Sequence, residues 1–473
     1  MDHRSEHEKG DAPLARALAE QKGRVSFHMP GHRPGSSFLE PPFDRLFELD
    51  TTELPRTGDL AAPSGHVEEA YQLAADYFGA GRTWFITSGT TASIHIMIAA
   101  TLREGDFIII PRAVHIAAVH ALALMGVNPI FVLPEKRKSF PDGQPDVASY
   151  VRTIQKNPNA KACFVTRPDY FGRTIDLSMI VKEAEKHDML VLVDEAHGAH
   201  LAAAPDLLPQ TGLFEGADIV CQSAHKTLPA LTPASLLHLS QASVEKGAVD
   251  PLRVARKVKV FQTSSPSFLI GASIDRARQY LHQHGREAIE RLIQKNDELT
   301  KNLPPYYQRI MPEGSDRTRL VLDYSKTGHD RRSFIRHLDL LGIDPELVDL
   351  SRAVFIMGLE QSDEDYERLL EALITLKPIS DKAKLESHQN ALERLTRERD
   401  QLLSESFHFH VPLREAMFGQ KPDESVAVAP IAPYPPGLPI IWPGEKITRR
   451  HQNYLAVLSA GEVVTRGAEL VFV

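Results

Sequence analysis

Between residues 61 and 300, short apolar runs alternate with longer stretches whose apolar positions recur every three or four residues. The runs Trp84–Thr87, Phe107–Pro111, Ile130–Leu133, Ala162–Thr166, Leu190–Asp194, Ile219–Gln222 and Leu236–Leu239 have strand length and no polar alternation. That pattern predicts strands covered on both faces. Ala92–Leu102, His115–Met125, Val147–Gln155 and Leu177–His187 carry helical spacing between them. The alternation predicts an α/β fold, with a mostly parallel sheet covered by helices.

The two ends read differently. Residues 1–60 crowd Pro, Gly and His into Phe27-His28-Met29-Pro30-Gly31-His32. Such a segment suits neither helix nor central strand, and is expected to be an irregular linker lying across another surface. Residues 301–473 predict a smaller α+β domain. Its strands are Arg319–Asp323 and Val354–Met357, and its helices Arg331–Leu341 and Asp363–Leu376. Asp381–Glu405 places Leu385, Leu392, Leu395 and Leu402 on one side of a single amphipathic helix. The expected divisions are therefore 1–60, 61–300 and 301–473.

Composition narrows the class. The chain has 473 residues, 42% of them hydrophobic and 25% charged, which suits folded domains. Its formal charge of −8 argues against a nucleic-acid binder, which needs a basic face. No apolar run approaches the ~20 residues of a membrane span, and the charged start lacks a signal-peptide core. Cys163 and Cys221 sit in apolar runs and read as reduced core thiols. A cytoplasmic protein is expected. The 21 histidines do not fall at metal-ligand spacing with Cys or carboxylates, so no metal is expected.

Three segments carry candidate chemistry, each at the end of a predicted strand. Ser88-Gly89-Thr90-Thr91 opens a helix, and small residues there can surround an anion with N–H groups and hydroxyls. An ordinary N-cap turn would look the same. Asp194, in Asp194-Glu195-Ala196-His197-Gly198, ends a buried strand where α/β proteins bind ligands. It reads as a carboxylate awaiting a cation or as an N-cap. Lys226, in Gln222-Ser223-Ala224-His225-Lys226-Thr227-Leu228, reads as a Schiff-base amine or as a solvated loop lysine. Together the three supply what pyridoxal phosphate requires: an anion cradle, a carboxylate for the ring nitrogen and an amine for the aldehyde.

With those motifs, the chain resembles the Orn/Lys/Arg decarboxylase family, pyridoxal-phosphate enzymes of aminotransferase-like fold type I. The resemblance also rests on the 27–32 motif, Gly58-Asp59-Leu60, Pro63-Ser64-Gly65, Thr263-Ser264-Ser265-Pro266-Ser267, Tyr434-Pro435-Pro436-Gly437 and Pro443-Gly444-Glu445. It implies a seven-stranded sheet, the short type without a receiver-like N-terminal domain, and a homodimer. It implies decarboxylation of arginine, lysine or ornithine to an amine of polyamine metabolism. By motif, Lys226 would bond to the cofactor aldehyde, Asp194 would pair with the ring nitrogen, and His115 would stack on the ring. Gly89, Thr90, Thr91, Ser223 and His225 would hold the phosphate, and Ala196 and His197 would line the ring edge. His225 is also a candidate proton donor. Thr263 and Ser264 would reach the phosphate of the facing subunit, and Glu445 would meet the substrate's distal cation. The chain departs from the family pattern at Ile116, Ala117, Arg167 and Pro233. An aminotransferase or lyase on the same fold, with Arg352 gripping the α-carboxylate, is the alternative enzyme. A pyridoxal-phosphate binder without catalysis is the other alternative.

Overall fold

The structure is a computed structural model that describes residues 6–23, 27–30, 32, 47–134, 144–405, 407–419, 425–434, 437–460 and 463–467. Seven strands form the main sheet: β1 (Arg82–Ile86), β2 (Phe107–Pro111), β3 (Asn128–Val132), β4 (Ala162–Thr166), β5 (Leu190–Asp194), β6 (Ile219–Ser223) and β7 (Ser235–Leu239). Their order is β1-β7-β6-β5-β4-β2-β3. All seven predicted runs are strands of this sheet. β2 pairs in parallel with β3 and β4, and β5 with β6, but β7 runs antiparallel to both β1 and β6. The sheet is therefore mixed. Every residue of β6 and β7 is buried, as helices on both faces require.

The chain divides into two compact units. One comprises residues 1–101 and 192–289, the other 102–191 and 290–473. The first holds β1, β6 and β7, the helix Gly89–Thr101 and most of a 35-residue helix, Phe268–Asn302. Its N-terminal segment is not irregular throughout. Pro13–Ala19 is a helix, with Pro at its first position and Leu14 and Leu18 buried. Its amino end is met by Asp275, whose Oδ2 accepts the N–H groups of Leu14 at 3.0 Å and Ala15 at 3.3 Å. That partner lies 261 residues away, so no local signal announces the helix. His28 and His32 are loop hydrogen-bonders, on Thr52 at 3.1 Å and Asp50 at 3.1 Å. Gly31, Phe38, Phe43, Leu46, Pro435 and Pro436 lie outside the described residues.

The second unit holds β2, β3, β4 and a four-stranded sheet. That sheet contains β8 (Gln308–Arg309), β9 (Arg319–Asp323), β10 (Leu347–Val348) and β11 (Arg352–Ile356), in the order β10-β11-β9-β8. Leu320, Leu322, Phe334, Leu338, Phe355 and Leu373 build its core. Local caps fix its helices. Asp330 accepts from the Ser333 N–H, and Ser362 and Asp365 form a reciprocal capping box at Asp363–Thr375. The helix Lys382–Ser404 turns Leu392 and Leu402 inward, and Leu402 joins Ile431, Ile441, Tyr454 and Leu458 in a separate C-terminal cluster.

Candidate active site

In the first unit, the turn after β1 opens the helix Gly89–Thr101. Gly89 sits at φ +79°, and a Cβ there would stand 3.2 Å from Pro233 Cβ, so the position requires glycine. Thr90 Oγ1 donates to Ser235 Oγ at 2.9 Å, and Ser235 Oγ donates to the Gln222 carbonyl at 2.8 Å. With those protons assigned, Ser223 Oγ donates to Thr90 Oγ1 at 2.5 Å and Ser93 Oγ to Ser235 Oγ at 2.8 Å. Two of the expected anion ligands, Thr90 and Ser223, thus meet across 133 positions of sequence. Thr91 is exposed one residue on.

Asp194 ends β5 and is 3% exposed. Its Oδ1 accepts the Ala196 N–H at 3.1 Å, with Cys221 Sγ at 4.0 Å. Oδ2 has no hydrogen-bond donor among the described residues. Burial pushes this carboxyl up, against the pull of the Lys226 charge and the Ala196 N–H. Lys226 follows β6 in the short helix Ala224–Thr227, with Nζ 3.2 Å from Nε2 of the buried His197. Ala196 links the two strand ends: its carbonyl accepts the Ser223 N–H at 3.3 Å. His225 Nδ1–H donates to the Ala234 carbonyl at 2.9 Å, which leaves Nε2 for another partner. Burial lowers the pKa of this imidazole; the Ala234 bond opposes that and Lys226 adds to it.

Several supporting residues were not picked out from the sequence. Ser93 and Ser235 complete the hydroxyl chain. Glu195 is fully buried, accepting from the Gly212 N–H at 2.8 Å and Gln222 Nε2 at 2.7 Å. Gln222 Oε1 meets His238 Nε2 at 3.2 Å, and His238 Nδ1 meets Thr83 Oγ1 at 2.8 Å. This relay ties β5, β6, β7 and β1 together behind Asp194 and Lys226. Gln262 accepts the Thr87 N–H at 2.8 Å, and its buried Nε2 has no partner among the described residues. It precedes Thr263 and Ser264, which are exposed in a turn where Thr263 Oγ1 accepts the Ser265 N–H at 3.3 Å.

In the second unit, His115 caps the helix Ile116–Met125, its Nδ1 accepting the Ala117 N–H at 3.2 Å. The departures at Ile116 and Ala117 therefore fall in that helix's first turn. Glu445 is buried and takes Arg112 Nη2 at 2.8 Å on both oxygens. Burial raises its pKa, opposed by Arg112. Arg352 is paired with Asp349 through Nε at 2.8 Å and stacks on the Phe171 ring at 3.8 Å. Among the described residues no cluster of His, Cys, Asp and Glu could hold a metal ion, and no helix is long and apolar enough to cross a membrane.

Residues 12–313 match the family model described as Orn/Lys/Arg decarboxylase, major domain, and residues 415–466 its C-terminal domain. The chain is 34% identical to an arginine decarboxylase of Bacillus subtilis, over 95% of this chain and 94% of that one. It is 26% identical to the lysine decarboxylase LdcA of Pseudomonas aeruginosa, over 59% of this chain and 41% of that one. The structure superposes on the lysine decarboxylase LdcF of Francisella novicida with a TM-score of 0.80 at 18% identity, covering 96% of this chain and 78% of that one. An alanine–glyoxylate aminotransferase from Nostoc sp. superposes at 0.53 and 16% identity over 65% of this chain and 85% of that one, which carries the fold alone. A strand-end lysine, a buried aspartate and a hydroxyl cradle, in a chain matched by the family model over most of its length, make this protein a member of the Orn/Lys/Arg decarboxylase family.

Proposed function

We propose that the chain removes the α-carboxylate of arginine as carbon dioxide, leaving the corresponding amine, with pyridoxal phosphate as cofactor. The observation that carries this reading is Asp194, a buried carboxylate with one oxygen unpartnered among the described residues, whose nearest countercharge is Lys226. A cationic ring nitrogen would offset the desolvation that now raises its pKa. The residues fit the cofactor elsewhere too. Gly89 keeps its turn open, and Thr90 and Ser223 stand at the amino end of a 13-residue helix, where a phosphate is favoured.

In this reading Lys226 holds the aldehyde, Asp194 the ring nitrogen, and Thr90, Thr91, Ser223 and His225 the phosphate. Ala196 and His197 line the ring edge and His115 covers its face. The cofactor, when bound, supplies an electron sink for the substrate carbon. Asp194 keeps that sink cationic. Lys226 Nζ, with His197 Nε2 at 3.2 Å, is placed to return a proton to the α-carbon. Arginine is favoured over lysine because four relatives matched over nearly their whole length are named arginine decarboxylases, whereas the lysine decarboxylases match over less than half of theirs.

We further read the chain as a cytoplasmic homodimer. Both cysteines are unpaired and buried. Leu252 and Val260 stand 71% and 69% exposed on the helix Pro251–Phe261, beside the Thr263–Ser265 turn, and a second copy would cover them. Incubating the holoenzyme with arginine, lysine and ornithine, and measuring carbon dioxide and amine, tests the reaction. Arginine should be turned over fastest with no keto acid present. Release of a keto product without carbon dioxide would instead select the aminotransferase, for which Arg352 is a poor carboxylate grip because Asp349 already holds it.

A further inference from the structure

Arg112 follows directly on β2, and its side chain is 1% exposed. Nη2 donates to both Glu445 oxygens and to the Ile440 carbonyl, each at 2.8 Å, and the guanidinium lies 4.4 Å over the Phe407 ring. Nε and Nη1 have no partner among the described residues, so Glu445 and Ile440 are the guanidinium's hydrogen-bond partners among them. Trp442, also fully buried, donates Nε1–H back to the Arg112 carbonyl at 3.0 Å, and its backbone N–H to Glu445 Oε2 at 3.0 Å. Four residues beyond Arg112, the Ile116 N–H donates to the Gly437 carbonyl at 3.1 Å. Gly437 has φ +84°, and a Cβ there would stand 3.6 Å from Nε2 and Cδ2 of His115.

The loop Arg112–Ile116 is therefore gripped at both ends by one stretch of the C-terminal domain, with the His115 ring against Gly437 between the grips. Arg112 brings charge without a second carboxylate at hydrogen-bond distance. Removing the negative charge of Glu445 leaves a buried guanidinium that must find new partners, and the backbone beside it shifts with it. The ring's own bond, from the Ala117 N–H to Nδ1, fixes its tilt relative to the helix but not the place of the loop.

We infer that residues 437–445 are the device that positions His115 for the cofactor ring, and that Glu445 is a positioning residue acting through Arg112, not a ligand of the substrate's distal cation. This rests on the reading of His115 as the residue that covers the ring. The test uses purified protein reconstituted with pyridoxal phosphate. Two quantities are read: the cofactor dissociation constant, and the visible circular dichroism per bound cofactor, which reports ring orientation. H115A should weaken binding about tenfold and alter the visible band. E445Q should do the same in the same direction, and should add nothing further in the H115A background. W442F, which removes the indole donor, is the second variant should E445Q fold poorly. D275N, at the buried Asp275–Arg278 pair of the other unit, is the stability control. It should lower the melting temperature while leaving the visible band unchanged. Folded E445Q and W442F with wild-type binding and band, beside an altered H115A, would overturn the positioning role. So would equal effects of E445Q in both backgrounds. An H115A variant indistinguishable from wild type would instead sink the reading of His115, and the inference with it.

Discussion

At the scale of single residues, chemistry concentrates where a strand ends. The strand-end places of Asp194 and Lys226 were legible because the first closes an apolar run and the second follows one within four residues, and strand ends are where such side chains emerge. Borohydride reduction of the holoenzyme followed by peptide mapping should label Lys226, and a label on another lysine would refute the assignment. Lys226→Ala should lose roughly 10³-fold or more in turnover. Asp194→Asn should fold normally but lose about 10²–10³-fold, since an amide cannot hold the ring nitrogen cationic. The supporting residues were illegible for a plain reason. Ser93 meets Ser235 across 142 positions and Thr87 meets Gln262 across 175, and no local pattern encodes either meeting. His238 gives a third expectation. Burial lowers its pKa to about 3, whereas an unfolded imidazole titrates near 6.5. The unfolded chain therefore takes up this proton first on acidification. The stability tied to a neutral His238 is complete above about pH 6.5 and falls below it, by roughly 1.4 kcal/mol per pH unit. His238→Gln should be less stable at pH 7.5 by about 1–3 kcal/mol, yet lose less between pH 6.5 and 5 in chemical denaturation.

At the scale of elements, the runs of apolar residues located every strand of the main sheet, and helical spacing located helices whose caps the structure shows to be local. Asp146, Asp330, Ser362 and Asp381 each stand one residue before a helix and accept its first N–H groups. The helix Pro13–Ala19 escaped because Asp275 does that work from the other side of the sequence. The direction of β7 escaped because a run apolar on both faces reports burial and not polarity of the chain. The Asp275 contact carries its own expectation. Its carboxylate meets Arg278 at 3.2 Å as well as the helix, and Arg278 also donates to the Lys9 carbonyl at 2.7 Å. Asp275→Ala should cost about 2–4 kcal/mol. It should also expose residues 13–19 to limited proteolysis before the rest unfolds, and protection equal to wild type would show that burial of Leu14 and Leu18 alone docks the helix.

At the scale of the whole molecule, the reading as a homodimer predicts composite sites. An inactive Lys226→Ala chain co-expressed with an inactive chain altered at residues 263–265 should regain activity in the heterodimer. Heterodimers demonstrated but inactive would place each site within one chain. Sedimentation at assay concentration gives a separate check, since a fully active monomer excludes the shared site. The domain divisions expected from sequence followed compositional borders. The compact units interleave along the sequence, each assembled from two stretches of chain. That interleaving has a consequence for biosynthesis. Thr90 leaves the ribosome 133 residues ahead of Ser223. At ordinary translation speeds this is a wait of roughly 7–27 s, during which half of the cradle has no other half. A stalled nascent chain ending before residue 223 should capture no cofactor, so loading must wait until roughly the first half of the chain has been made.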